Sequence, residues 1–264
     1  MKTLFLSLIL AQALLASEYF AKAEPVETFS LKSAVSGRVI KVDESKEGKF
    51  SDGTVVIMID DKVDVIELEA SKQKLNFLDS NIKLSKQSVS NSLKMMKIDK
   101  TNYQRVQNLS SYSKVQKDAK LFSSINSTNA YIQSKTNLEN LKTQRADLTV
   151  RIARLEDSIA KKNIQVKKGL YIYKLYPTVG DFVSMGAPLL DSKDISKARL
   201  TIYVTKEDLV GIKEKKIFID GKETDYKIDK LWTIADTQNI SAYKTEIVVD
   251  KPAFFSALMK VEFK

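Results

Sequence analysis

The chain has 264 residues, 43% of them hydrophobic, and 43 Lys and Arg against 33 Asp and Glu give it a formal charge of +10. It contains neither cysteine nor histidine. That excludes disulfides, thiolate and imidazole metal sites, Ser-His and Cys-His nucleophile pairs and cysteine lipidation.

At the N-terminus, Lys2 precedes an apolar run from Thr3 to Leu15, followed by Ala16-Ser17 and a polar stretch opening at Glu18. A charged start, a short apolar run and small residues predict a cleaved signal peptide over 1–17. The run is shorter than the roughly 20 residues that span a bilayer, and an uncleaved anchor is the alternative. Ala21-Lys22-Ala23 offers a second, later small-x-small cleavage site.

The next region reads as strand, turn, Gly-x-Phe, turn, strand: Val35 to Val42, then Gly48-Lys49-Phe50 and Gly53, then Val55 to Asp60. Glycines between short strands suit positions of positive φ.

No glycine or proline occurs from Thr54 to Lys168, so the residues that normally end helices are missing there. Leu68, Leu75, Ile82, Val89, Met96 and Tyr103 recur at seven-residue intervals, with Leu78 and Val106 at the companion position. Further on, Leu138, Leu141, Leu148, Ile152, Leu155 and Ile159 alternate by three and four, with one step skipped at Arg145. These are coiled-coil seams. Ser110-Ser111-Tyr112-Ser113 interrupts the period near the centre, which predicts an antiparallel hairpin with helices over about Val65–Leu109 and Lys114–Lys161. Each arm would reach roughly 65–70 Å. Ser85, Ser92, Asp99, Ser124, Ser127 and Ser134 occupy seam positions, so the distal half is weakly held and is expected to pack on neighbouring hairpins or a partner, or to be flexible.

A second β region repeats the first: Gly169 to Leu175, then Gly180-Asp181-Phe182-Val183 and Gly186, then Pro188 to Asp191. The spacing from Gly37 to Gly48 equals that from Gly169 to Gly180. Two half-units separated by the helices can join only if the helices double back. Beyond Asp191, strands are expected at Arg199–Val204, Ile217–Ile219, Tyr226–Ile228, Thr245–Val249 and Met259–Phe263, with a short helical turn at Lys206–Leu209. Asp220-Gly221 is a hairpin signal between the second and third of these. The set suits a small antiparallel β-barrel.

The fold class is therefore α+β: a long antiparallel coiled-coil hairpin inserted in a split lipoyl-like β-sandwich, followed by a small antiparallel β-barrel. The divisions are 1–17 signal peptide, 18–64 N-terminal strand and first half-unit, 65–163 hairpin, 164–195 second half-unit, and 196–264 barrel. The excess charge lies mainly in the hairpin, where Glu67 to Lys162 holds 18 Lys and Arg against 9 Asp and Glu. It reads as attraction to anionic headgroups, attraction to an acidic partner, or a solvated helical surface. The dispersed lysines and absent aromatic motif speak against nucleic acid. The acidic pairs Asp60-Asp61 and Glu156-Asp157 are sequence neighbours that cannot face one shared site, so paired acid–base catalysis has no support. No cofactor or metal site is expected. Gly48-Lys49 lacks the glycine-rich loop of a phosphate cradle.

This order of parts resembles the periplasmic adaptors, or HlyD-like membrane fusion proteins. The residues that carry the resemblance are Ala34-Val35-Ser36-Gly37-Arg38-Val39, Gly48-Lys49-Phe50 and Gly180-Asp181-Phe182-Val183-Ser184-Met185-Gly186, flanking the inserted hairpin. The lipoyl-like turn glycines would be Gly37, Gly48, Gly53, Gly169, Gly180 and Gly186. The resemblance implies a non-enzymatic subunit in the periplasm, peripheral to the inner membrane. Its implied partners are an inner-membrane transporter, an outer-membrane channel and further copies of itself in a hexamer. The family's channel-docking Arg, Leu and Ser correspond to Arg105, Leu109 and Ser113, with Asp118 as the aspartate that follows. Here Leu109 and Ser113 are about three positions closer than usual. With no acylatable cysteine and no expected membrane-proximal domain, an ABC-type transporter is favoured over RND or MFS types. Lipoylation is not implied, because the hairpin replaces the loop that carries the acceptor lysine. The alternative reading is a structural coiled-coil envelope protein without a transport role.

Overall fold

A computed structural model describes residues 17–235 and 241–264; all but the last residue of the expected signal peptide lies outside them. The described chain is α+β. Its elements are β1 Glu18–Lys32, β2 Gly37–Val42, β3 Val55–Ile59, α1 Lys62–Val106, α2 Lys114–Lys162, β4 Asn163–Gln165, β5 Tyr171–Leu175, β6 Phe182–Val183, β7 Pro188–Thr205, β8 Ile217–Ile219, β9 Lys222–Thr224, β10 Ile228–Leu231, β11 Ala242–Asp250 and β12 Leu258–Phe263. They form two compact units: the chain up to Met58 with Ile164–Lys264, and Ile59–Asn163.

In the first unit a large antiparallel sheet runs β10-β11-β7-β1-β12-β8-β9, with β5 also on β7. It curls over a core that includes Ala21, Ala23, Leu200, Ile202, Ile247 and Val261. Strand β1 serves two partners. Glu18–Lys22 pairs with β12, and Ala23–Lys32 pairs with β7. The register shifts between Pro25 and Glu27, where proline has no N–H to give to a ladder and a bulge absorbs the gap.

Strand β7 is continuous across residues 195 and 196, where the sequence suggests a division. Ser192 to Lys197 has little strand character of its own. Pairing supplies the order: Glu27 sits opposite Asp194, and Asp250 opposite Lys197. Asp220 and Gly221 make the expected hairpin turn, at φ 50° and 78°. The returning strand is Lys222–Thr224 rather than Tyr226–Ile228, because a two-residue turn sets the register at once. Tyr226 and Ile228 instead pack on the core.

The smaller sheet has the order β4-β3-β2-β6. The two glycine-bearing half-units bond to each other reciprocally. Gly48 N–H donates to Ile172 O at 2.9 Å, Ile172 N–H to Lys49 O at 2.9 Å, and Gly169 N–H to Ser51 O at 2.9 Å. In return, Gly180 N–H donates to Val39 O at 2.9 Å, Val39 N–H to Asp181 O at 2.8 Å, and Gly186 N–H to Ser33 O at 2.7 Å. Gly48, Gly53, Gly169, Gly180 and Gly186 have positive φ. Gly37 is the exception to the expectation. It opens β2 opposite Val183, in a ladder that needs extended backbone, so it does not act as a turn glycine.

In the second unit, α1 and α2 have 45 and 49 residues, which at 1.5 Å per residue is roughly 67 and 73 Å. Helix α1 starts and stops three residues before the expected bounds. At its start, Asp60 Oδ1 accepts from Lys62 N–H at 3.1 Å and Asp61 O from Val65 N–H at 2.9 Å. The helices are antiparallel, as their cross-pairs show: Asp64–Lys162 at 3.0 Å, Glu67–Arg151 at 2.8 Å, Lys72–Glu156 at 2.7 Å and Asp79–Arg145 at 2.6 Å. Leu78, Ile82, Leu138, Leu148 and Ile152 form the buried seam. Ser85 and Ser127 are buried as well, and Ser92 and Ser134 share a hydrogen bond at 3.0 Å. Among the described residues no helix is long and apolar enough to cross a membrane.

Candidate docking site

The turn between the helices gathers the four singled-out residues at one end of the pair. Arg105 lies in the last turn of α1, exposed and without an ion-pair partner among the described residues. It borders a shallow groove with Lys97, Ile98, Thr101 and Asn102. Leu109 is 45% exposed in the connection. Its N–H donates to Val106 O at 3.1 Å, and its carbonyl accepts from Tyr112 N–H at 3.4 Å. These two bonds tighten the turn and leave the side chain outside.

Ser113 is the N-cap of α2. Its Oγ accepts from Gln116 N–H at 3.3 Å, and Gln116 Oε1 accepts from Ser113 N–H at 2.9 Å. This is a capping box, in which two otherwise unpaired backbone donors at the helix start are satisfied. The hydroxyl of Ser113 is therefore already engaged in holding the turn. Asp118 follows within the next helical turn, exposed. No hydrogen bond or ion pair joins Arg105, Leu109, Ser113 and Asp118 to one another among the described residues.

A second feature escaped the heptad reading. Ile66, Phe77, Leu84, Met95 and Ile98 are each more than half exposed. Their spacings of 11, 7, 11 and 3 put them on one row of α1, away from the seam. Phe77, Leu84 and Leu141 line a continuous groove on that side. The signal that could have revealed them was large apolar residues out of phase with the heptad.

The acidic pairs are spoken for. Asp60 meets the α1 backbone, Asp61 accepts from Asn163 Nδ2 at 3.3 Å, Glu156 pairs with Lys72, and Asp157 with Lys161 at 2.5 Å. Among the described residues no group of acidic side chains converges as metal ligands would.

No protein-family model matches the sequence, and no curated protein matches it. Solved structures do match in fold. MacA from Actinobacillus actinomycetemcomitans is 16% identical with a TM-score of 0.68, over 94% of this chain and 78% of that one. A MacA-MexA chimera containing the Pseudomonas aeruginosa MexA α-hairpin domain is 15% identical at 0.62, over 94% and 81%. The membrane fusion protein Spr0693 of Streptococcus pneumoniae R6 is 10% identical at 0.57, over 94% and 98%. The chain has the fold of the membrane fusion, or periplasmic adaptor, proteins.

Proposed function

We propose that this protein is a periplasmic adaptor that links an inner-membrane transporter to an outer-membrane channel in efflux or secretion, without catalytic turnover. The observation that carries the reading is the pair of half-units that hydrogen-bond reciprocally although a whole helical unit separates them in sequence. This is the split lipoyl-like domain with an inserted hairpin. The serine-bearing heptad seam supports a coiled coil, and the curled sheet in which β1 serves both β7 and β12 supports a barrel. The fold neighbours support the same role.

In this reading the helix turn meets the channel. Arg105 offers a forked donor to carboxylates or carbonyls, Leu109 is an apolar knob, and Ser113 holds the turn in shape. Asp118 lies beside them. Six copies would form a ring, with an ABC-type transporter beneath it. The chain acts by bridging and by passing on the transporter's movements.

The test mixes the purified mature chain with a detergent-solubilised outer-membrane channel of the same organism. Capture is expected, and Arg105→Glu should weaken it roughly tenfold by reversing a charge at the contact, with helicity by circular dichroism unchanged. No capture, together with undiminished export in a deletion strain, would sink the reading.

A further inference from the structure

The helix pair is not evenly charged. From Lys83 to Lys135 it carries ten basic and two acidic side chains, a net +8 against +10 for the whole chain. All the cross-helix ion pairs lie in the other half, from Asp64–Lys162 to Asp79–Arg145. Among the described residues Lys83, Lys86, Lys94, Lys97, Lys100, Lys120 and Lys135 are exposed and have no acidic partner.

These lysines share one side. Spacings of 3, 8 and 3 from Lys83 through Lys86 and Lys94 to Lys97 keep them within one row of α1. Lys117 and Lys135 in α2 are 18 positions apart, a whole number of turns, with Lys120 beside Lys117. Both rows lie about a quarter-turn from the seam in the same rotational sense, which in an antiparallel pair puts them on one face. The apolar groove of Phe77 and Leu84 faces the other way. Lysines at i, i+3 repel one another, so the basic face stands at a cost that carboxylates from outside would relieve.

We propose that this basic face of the distal helix pair docks on an acidic protein surface, and this rests on the adaptor reading in that the channel would supply that surface. Lipid is the poorer match. A helix that lies on a membrane inserts large apolar side chains between its lysines. On α1 the lysines alternate with Gln87, Ser90 and Thr101, while the exposed Phe77, Leu84, Met95 and Ile98 are on another row. On α2 Ser124 and Thr128 share the row of Lys117 and Lys135, and the exposed Ile125 and Ile132 flank it on one side only.

The experiment uses the full mature chain, poly-L-glutamate as an acidic probe, and vesicles of phosphatidylglycerol and phosphatidylethanolamine. Poly-L-glutamate is expected to bind and to be released by salt. Lys83→Gln/Lys86→Gln/Lys94→Gln/Lys97→Gln should weaken it at least roughly tenfold, whereas Lys206→Gln/Lys213→Gln/Lys215→Gln on the other unit should not. Glutamine is a good helix former, and circular dichroism checks that helicity is kept. Equal binding by the quadruple variant overturns the proposal. So does tighter, lysine-dependent retention on the vesicles, which would make the partner a lipid surface. In the channel-capture assay, a quadruple variant that captures as well as wild type overturns this proposal and leaves the adaptor standing. If the wild-type chain captures no channel and export is undiminished in the deletion strain, the adaptor reading fails and the poly-L-glutamate arm alone decides.

Discussion

Asp208 shows how one side chain can hold the start of a strand. Its carboxylate accepts from Ser17 Oγ at 2.6 Å, Tyr19 OH at 2.5 Å and Thr205 Oγ1 at 3.1 Å. The Ser17 and Tyr19 hydroxyls hold it below the usual carboxylate range. Burial, then the bond to Asp208, pushes the Tyr19 phenol up to about 12. Two and four residues on, Ala21 and Ala23 are 2% and 0% exposed in the core. Cleavage after Ala23 would remove every β1 residue paired with β12, from Glu18 to Lys22. Under the adaptor reading, N-terminal sequencing of the protein recovered from the periplasm is therefore expected to start at or before Glu18. A start at Glu24 would show that the sheet does not need this edge.

Among the elements, the helix pair carries its own weak point. Ser92 and Ser134 spend a seam layer on one hydrogen bond between the helices and one from Ser134 Oγ to Ala130 O, where leucines would bury area worth about 0.8 kcal/mol per CH2. Ser92→Leu/Ser134→Leu should raise the stability of this unit by roughly 2 kcal/mol, read as a higher melting temperature of the helical signal at 222 nm. An unchanged or lower value would mean the layer is too narrow for larger side chains. The heptads and the missing glycines made α1 and α2 legible in the sequence to within three residues. The reciprocal glycine pattern was legible too, since five of its six glycines owe their place to backbone sterics. Gly37 was misread because composition cannot separate an extended glycine from a turn glycine. The span of β7 from Ser192 to Lys197 was hidden for a different reason: its order comes from β1 and β11. At the candidate site the residue types could be read, but not that Ser113 is committed to its cap.

For the whole molecule, acid should be the condition that loosens it, because its carboxylates are held charged in both units. Lys260, then Lys264, brings Glu262 down to about 2. Ser30 and Tyr176 lower Asp191, and Ser196 lowers Asp194. In the helical unit Lys162, then Ser158, lowers Asp64. A group whose folded pKa is depressed adds stability above its unfolded value, near 4 for these carboxylates. That stability is lost as pH falls through the folded value. Tyr19 has the opposite sign: its raised value protects the fold below about pH 10, and the protection goes as pH climbs to about 12. Denaturant midpoints should thus be level between pH 5 and 8 and fall between about pH 4 and pH 2. Loss of carboxylate charge also leaves the Lys83–Lys135 segment with nothing but like charges, which adds to the fall in low salt. Glu262→Gln should lower the midpoint at pH 7 and flatten the acid limb. A variant as steep as wild type would mean that Glu262 contributes no part of it.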